Sequence, residues 1–178
     1  MNNQPLQDEL LDLVDEEDRV IGTMRRSEVY AKKLRNIRVV NAFIVNSKGE
    51  LWIPRRTAHK RSYPLCLDMS MGGHVESGET YESAFERELK EELNLEVSQC
   101  NPRLLGYLTP HTHDVHAFMK VWEIRQDDAP RYNPDDFTEY FWLTPATLLA
   151  RIAQGDRSKS DLPKLVHIFY GKNNSLQH

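Results

Sequence analysis

The sequence predicts a mixed α/β (α+β) fold, in which helices pack on a sheet of mixed strands. Three observations support this prediction. Short runs rich in β-branched and aromatic residues recur along the chain and are separated by turn-forming residues. Residues 81–93 instead repeat apolar side chains with helical spacing. Two more helical segments lie near the end of the sequence, so strands and helices interleave around one core.

The first predicted elements form an N-terminal extension. Residues 11–14 and 20–24 flank the turn-like sequence Asp-Glu-Glu-Asp, which is typical of a β-hairpin. Ser27 precedes a short helical segment over residues 28–34 and is placed to cap it. The hairpin has two alternative roles, as an addition to the main sheet or as a contact in a homodimer.

The core elements follow along the rest of the chain. Strand-like sequence covers residues 39–45, 50–55, 67–71, 103–108, 115–125 and 140–143. The turn-like sequence Asn-Ser-Lys-Gly joins the first two of these strands and predicts a second hairpin. Helices are expected over residues 81–93, over residues 145–153 with proline in the first turn, and over residues 162–170.

Composition limits the class of protein. The chain has 178 residues, of which 39% are hydrophobic and 28% charged, and this fits one globular domain over residues 1–178. We divide that domain into an extension, residues 1–36, and a core, residues 37–178. The net charge of −4 argues against bulk electrostatic binding of nucleic acid.

The same sequence features predict a location in the cytoplasm and no membrane partner. The first residues do not have the pattern of a signal peptide, and no apolar stretch approaches the ~20 residues that cross a bilayer. Cys66 and Cys100 give neither a disulfide framework nor the spacing of metal ligands, which suits a reducing compartment.

The helix predicted over residues 81–93 carries acidic residues on its apolar side. Its apolar residues recur at every fourth position: Tyr81, Phe85, Leu89 and Leu93. At about 100° per residue, Glu88 and Glu92 project within this stripe and Glu91 projects at its edge. All three lie toward the C-terminal end of the helix, where the helix dipole already disfavours negative charge.

Three such carboxylates repel one another and raise each other's pKa unless a cation lies among them. Mg²⁺ prefers carboxylate and phosphate oxygens, so the sequence favours a magnesium site at this end of the helix. The alternative is a solvated acidic helix end, which the placement of Glu88 and Glu92 within an apolar stripe disfavours.

The residues before and within this helix match a known motif. Gly73, Glu79, Arg87-Glu88-Leu89 and Glu91-Glu92, at the spacing found here, closely resemble the Nudix box. The box ordinarily continues with a glycine at the position of Asn94. That position is typical of a left-handed residue at the end of a helix, where asparagine is the usual substitute for glycine.

The resemblance implies an α/β/α sandwich around a mixed sheet, and Mg²⁺- or Mn²⁺-dependent cleavage of a nucleoside diphosphate linked to another group. The metal ligands it implies are Glu88, Glu91, Glu92 and the carbonyl of Gly73. It also implies structural roles for Gly78 and for an ion pair between Glu79 and Arg87, for which the alternative is a pair of ordinary surface charges.

The reaction that the resemblance implies is attack by a metal-activated water on a phosphorus of the diphosphate. Glu91 is the first candidate for the general base. Glu139 is the second, because some members of the family carry a catalytic glutamate at the corresponding place. The alternative for Glu139 is an ordinary glutamate at the start of a strand.

The flanking sequence resembles the isopentenyl-diphosphate isomerase branch of the family. The similar segments are residues 11–15, 20–22, 55–57 and 133–136. Those isomerases resemble one another in a catalytic cysteine immediately before the box glycine, where this chain has Gly72, and Cys66 is too far upstream to replace it. We therefore favour an isomerase-like Nudix hydrolase that acts on a small diphosphate-containing molecule. Isomerase activity and a non-catalytic nucleotide-binding domain are the alternatives.

Two further groups of residues have more than one interpretation. Arg55, Arg56 and Lys60 lie in a basic run that suits a diphosphate clamp or a solvated strand end. A second group is rich in histidine: His111, His113 and His116. Because no second cluster of ligands is present, these histidines indicate a hairpin tip rather than a zinc site, and contact with substrate is the remaining alternative.

Overall fold

The computed structural model describes residues 8–171, so the first seven and the last seven residues of the predicted domain lie outside the described residues. The first described elements are β1 (Leu10–Val14) and β2 (Val20–Arg25), which pair antiparallel as a separate two-stranded sheet. Helix α1 (Arg26–Ala31) follows. The N-terminal hairpin is therefore present as predicted, and it does not add a strand to the main sheet.

The main sheet of the described chain has six strands. They are β3 (Arg38–Val45), β4 (Leu51–Arg56), β5 (Met71–His74), β6 (Arg103–Leu108), β7 (Phe118–Arg125) and β8 (Phe137–Leu143). The strand order is β6-β7-β3-β4-β8, and β5 also pairs with β3. Strands β3 and β7 run parallel while the other pairs run antiparallel, so the sheet is mixed.

Helices cover both faces of this sheet. They are α2 (Tyr81–Leu93), α3 (Val97–Cys100), α4 (Pro110–His113), α5 (Pro145–Ala153) and α6 (Asp161–Tyr170). Val40 and Ile44 of β3 share one buried cluster with Leu89 of α2. Phe43 of the same strand shares the other cluster with Leu165 of α6. The predicted α/β (α+β) class, with an α/β/α sandwich around a mixed sheet, is confirmed.

The strand expected over residues 67–71 begins later than the sequence suggested. Leu67 makes only isolated bridges, to Arg55 and to Ser158, and the strand starts at Met71. The segment before it is held instead by the loop that precedes α6, since the N–H of Leu67 donates to the carbonyl of Arg157 at 2.8 Å. Gly72 and Gly73 consequently lie in a strand.

Both ends of α1 and the start of β7 also differ from the prediction. Ser27 does not cap α1, because it lies inside the helix and its hydroxyl donates to Asp8 at 2.6 Å. The helix ends at Ala31, short of residue 34, and Lys33 is left-handed with a φ of 53°. Strand β7 begins at Phe118 rather than at residue 115, because the short helix α4 occupies part of the connection from β6.

Helix α2 is capped at both ends, and its C-terminal end is the one that the sequence predicts. Thr80 caps the first turn by accepting a hydrogen bond from the N–H of Ser83 at 3.1 Å. Asn94 ends the helix in the left-handed conformation, with φ of 52° and ψ of 35°, as predicted. The side chain of Asn94 also donates to the carbonyl of Arg131 at 2.5 Å, a bond that glycine could not make.

We expect Asn94→Gly to change the free energy of unfolding by less than about 1 kcal/mol, because relief of the positive φ offsets the lost side-chain bond. Asn94→Ala removes the bond and keeps the unfavourable φ, so it should cost about 2 kcal/mol. Urea denaturation measures both values. Asn101→Ala is the matched control for the cost of alanine at a positive φ, since Asn101 is also left-handed at a helix end (φ 42°). A greater loss for Asn94→Gly than for Asn94→Ala would contradict this account.

Candidate metal centre

Strand β5 passes directly beside helix α2 at Gly73. Pairing with β3 holds the strand there, with Val40 opposite Gly73. A Cβ atom added to Gly73 would lie 2.0 Å from the carboxyl carbon of Glu88, so a larger residue would displace this carboxylate. The backbone of Gly73 and the carboxylate of Glu88 are thus direct neighbours, as a metal shared by both would require.

Glu92 is the most buried of the three helix glutamates, with 7% of its surface exposed. Its Oε2 accepts a hydrogen bond from the N–H of Gly72 at 3.0 Å. Burial, and then the negative charges of Glu88 and Asp68, raise the pKa of Glu92 well above its ordinary value. A charged carboxylate here is costly unless a cation neutralises it.

Glu88 and Glu91 lie in different surroundings. Burial raises the pKa of Glu88 to about 7, although the Arg87 guanidinium opposes this shift. The Glu88 side chain is 13% exposed, whereas that of Glu91 is 58% exposed. Glu88 is therefore enclosed beside Gly73, and Glu91 is open to solvent at the edge of the site.

Arg87 connects the loop, strand β5 and helix α2. Its guanidinium donates to both oxygens of Glu79, at 2.8 and 2.9 Å, and to the carbonyl of His74 at 3.0 Å. It also donates to Glu88 at 2.8 Å and, more weakly, to Glu91 at 3.3 Å. The predicted pairing of Glu79 with Arg87 is present in the structure, and it carries more contacts than a surface ion pair.

The loop between β5 and α2 is held from the N-terminal hairpin. Gly78 has a φ of 86°, which favours glycine, and its N–H donates to Asp12 at 3.2 Å. The hydroxyl of Ser77 donates to the same carboxylate at 2.7 Å, and its N–H donates to the carbonyl of Leu10 at 2.8 Å. The extension therefore fixes the loop that carries the motif.

The donor groups fit a hard divalent cation. Within residues 8–171, no three His, Cys, Asp or Glu side chains form a ready metal-binding group, and Arg87 contacts both Glu88 and Glu91. The carboxylate of Glu92 nevertheless accepts only one hydrogen bond from the described chain, and burial disfavours its charge. Glu88, Glu91, Glu92 and the carbonyl of Gly73 offer the oxygen ligands that Mg²⁺ prefers.

These residues line one part of a cleft of about 600 Å³. Part of its wall comes from the extension, through Glu9, Arg26, Tyr30, Lys33 and Arg35. Sequence analysis missed this wall, because no local pattern reports a contact between segments more than forty residues apart. The hydroxyl of Tyr30, for example, lies 3.0 Å from Nε2 of His74.

The structure separates the residues of the basic run. Arg55 donates to Glu139 at 2.6 Å and to Asp156 at 2.9 Å, and neither Arg55 nor Glu139 lines the cleft. Arg56 and Lys60 do line the cleft, where each pairs with an acidic residue. Alternation along β4 and the register shift between Arg55 and Arg56 account for the difference.

The three histidines also separate. His111 lines a different and shallower pocket, and Nδ1 of His113 accepts a hydrogen bond from the N–H of Thr109. His116 lines the main cleft and pairs with Asp161, which the sequence analysis did not single out. The histidines therefore do not converge on a common site.

Glu88 should make the stability of the metal-free protein depend on pH. Its pKa is about 7 in the folded chain and 4.5 ordinarily, so the folded state binds more protons between these values. The free energy of unfolding should fall by ~1–3 kcal/mol as the pH rises from about 4.5 to about 7. Urea denaturation in EDTA at several pH values measures this fall. In Glu88→Gln the fall should be smaller, and an unchanged slope would contradict the assignment.

The fold and this site together define a family. Residues 35–162 match the family model described as the NUDIX domain, which covers most of the chain. The chain belongs to the Nudix family, and the predicted class of enzyme, a Nudix hydrolase, is confirmed. No helix of the described residues is long and apolar enough to cross a membrane.

Several relatives are similar over nearly their whole length. An uncharacterized Nudix hydrolase of Nostoc sp. is 62% identical over 162 residues, which cover 91% of this chain and 96% of that protein. A Nudix hydrolase of Deinococcus radiodurans is 49% identical and covers 92% and 95%. A crystal structure from D. radiodurans matches with a TM-score of 0.86 at 49% identity, covering 91% of this chain and 99% of that one.

The isomerase branch is also similar, but more weakly. An isopentenyl-diphosphate Delta-isomerase of Klebsiella pneumoniae is 26% identical over 145 residues, which cover 79% of each chain. The predicted likeness to this branch is therefore confirmed as a weaker similarity.

Proposed function

We propose that this protein is a Mg²⁺-dependent hydrolase, with Mn²⁺ as an alternative metal, that cleaves the diphosphate linkage of a nucleoside diphosphate joined to another group. The observation that carries the proposal is the buried pair of Glu88 and Glu92. Both lie beside β5 and both have a raised pKa, so both favour a neutralising cation.

Each residue around the cleft then has a role. Glu88, Glu91, Glu92 and the Gly73 carbonyl hold the metal. When bound, Mg²⁺ supplies a water of lowered pKa and neutralises charge on the diphosphate. Glu91 is exposed enough at the edge of the cleft to take a proton from water. Glu139 is a weaker candidate for that base, because Arg55 engages its carboxylate outside the cleft.

Arg56 and Lys60 support binding of the diphosphate. Both line the cleft, and each is held in place by a carboxylate, Asp68 for Arg56 and Asp136 for Lys60. A guanidinium that is held this way presents its remaining N–H groups to phosphate oxygens. Arg55 lies outside the cleft with two acidic partners, so we assign it a structural role.

The proposal is tested by assaying purified protein with Mg²⁺, Mn²⁺ or EDTA against a panel of diphosphate-linked nucleotides and isoprenyl diphosphates. We expect metal-dependent release of a phosphate-bearing product from at least one nucleotide, at a rate roughly a thousandfold lower in the Glu92→Gln variant. Hydrolysis that persists in EDTA, or that stays above about a tenth of the wild-type rate in that variant, would contradict the proposed site.

Isomerase activity is the second candidate, because the isomerase branch is the more distant match. The chain has Gly72 where those enzymes carry their cysteine. A Cβ atom there would lie 2.7 Å from Oδ1 of Asn41, so the surroundings of Gly72 suit glycine. Interconversion of the two five-carbon diphosphates would support the isomerase. Tight nucleotide binding in Mg²⁺ without turnover would instead support a non-catalytic domain.

The remaining proposals concern the class of substrate, the cellular compartment and the oligomeric state. We propose a small-molecule substrate without bulk nucleic-acid binding, in line with the net charge of −4. A reducing compartment such as the cytoplasm suits the two free cysteines, Cys66 and Cys100. A homodimer is a further proposal, and light scattering with chromatography tests it.

A further inference from the structure

We propose that His116, oriented by Asp161, binds a second anionic group of the substrate, a phosphate or a carboxylate, at the end of the cleft away from the glutamates. This inference rests on the proposed function, because it names a property of the substrate that the same cleft takes. It does not depend on which residue acts as the general base.

Asp161 is positioned to orient the imidazole of His116. It is 2% exposed, and its Oδ2 accepts the backbone N–H of His116 at 3.1 Å and pairs closely with Nδ1 of the same residue. It opens helix α6, where the helix dipole favours a negative charge. Burial raises the pKa of Asp161, but the hydrogen bond and charge of His116 outweigh this effect and hold it below its ordinary value.

The pairing leaves one nitrogen of His116 for a ligand. A charged Asp161 accepts the proton on Nδ1, so Nε2 is the nitrogen available to the cleft that His116 lines. In the protonated ring that nitrogen carries the N–H that donates to an anion. Among residues 8–171, Nε2 has no hydrogen-bond partner. The side chain of His116 is 37% exposed, so Nε2 is open to solvent and to a ligand that enters the cleft.

Strand register sets the distance from the glutamates. Val40 lies opposite both Gly73 on β5 and Lys120 on β7, so Gly73 and Lys120 are at the same level of the sheet. His116 precedes Lys120 by four residues, which corresponds to roughly 13 Å of extended chain along the direction of β7. His116 is therefore beyond direct reach of a metal at Gly73, and it suits a more remote part of the substrate.

Positively charged side chains share the cleft with His116. They are Lys33, Arg35 and Lys159. The Lys33 side chain has no partner in the part of the chain that the structure describes. Arg35 pairs at 3.3 Å with a largely exposed Asp114, and Lys159 lies 3.4 Å from Asp68. The adjacent acid, Asp161, is already engaged, so an anion from the substrate would be favoured here.

The test compares ligands that differ by one phosphate. Calorimetry with Ca²⁺ in place of Mg²⁺ measures binding of two pairs, ADP with ATP and NADH with NADPH, to the full chain. In at least one pair we expect the more phosphorylated member to bind about tenfold more tightly, from one hydrogen bond to a charged group. In His116→Asn the preference for the more phosphorylated member should fall to less than about twofold, because the hydrogen bond from His116 to the added phosphate is lost.

Two further variants complete the test. His167→Asn changes an exposed histidine on α6 and should keep the full preference. Lys33→Met alters an exposed side chain and should fold normally. It should reduce the preference for the more phosphorylated ligand by about threefold, because it removes one positive charge from the cleft. Equal binding within both pairs, or a preference that survives in His116→Asn, would overturn the inference. If the inference fails in this way, hydrolysis of nucleotides would still support the proposed function. If the preference for the more phosphorylated ligand is present but no nucleotide is hydrolysed, the proposed function is contradicted and the binding role of His116 is not.

Discussion

Replacement of Glu92 by glutamine should abolish most activity and at the same time stabilise the metal-free protein. Glutamine keeps an oxygen that can accept the N–H of Gly72, but it removes a buried charge beside Glu88 and Asp68. We expect kcat to fall roughly a thousandfold, because a ligand charge that the metal needs is lost. In EDTA at pH 7.5 the free energy of unfolding should rise by ~1–3 kcal/mol.

Thermal denaturation with and without Mg²⁺ separates these two effects. The wild type should gain several degrees in Tm on addition of Mg²⁺, since the metal binds the folded state, and Glu92→Gln should gain little. Glu86→Gln is the matched control, because Glu86 is an exposed glutamate on the same helix. A variant that is less stable than the wild type in EDTA, or that keeps more than about a tenth of the activity, would contradict the assignment.

Replacement of Arg87 by methionine should have the largest effect on stability. The guanidinium satisfies both oxygens of Glu79 and the carbonyl of His74, and it lies against Glu88. Its removal leaves Glu79 with only the N–H of Glu76 as donor, and removes the cation beside these carboxylates. We therefore expect a loss of ~2–4 kcal/mol in the free energy of unfolding.

Urea denaturation at pH 7.5 measures this loss, and Lys90→Met on the same helix is the matched control. Lys90 pairs with Glu96 at 2.8 Å, but their side chains are 69% and 52% exposed, so that change should cost less than about 1 kcal/mol. Combining Arg87→Met with Glu79→Gln should recover part of the loss, because the unpaired charge is then absent. Similar losses for the Arg87 and Lys90 variants would show that the network is only a surface feature.

Sequence could predict the features of this site that depend on neighbours along the chain. Helical spacing placed Glu88 and Glu92 on the apolar side of α2, and Glu92 is indeed buried. The left-handed Asn94 followed from its position after the last apolar turn. Such features depend on local backbone geometry, which a sequence window contains.

Features that depend on distant pairing could not be predicted in the same way. Strand β5 begins at Met71 because it pairs with β3, about thirty residues earlier in the chain. Arg56 rather than Arg55 lines the cleft because of a register shift against β8. The partner of His116 is Asp161, forty-five residues later. In each case the deciding contact comes from the fold as a whole.

The hydrogen bonds between the N-terminal hairpin and the loop between β5 and α2 have a consequence for the cooperativity of unfolding. The sequence shared with the family begins at residue 35, yet the backbone of that loop is bonded to Leu10 and Asp12. Separation of the hairpin would release Ser77 and Gly78 from these bonds. We therefore expect the unit that unfolds together to extend beyond the shared sequence, so that the first strands melt with the family domain rather than before it.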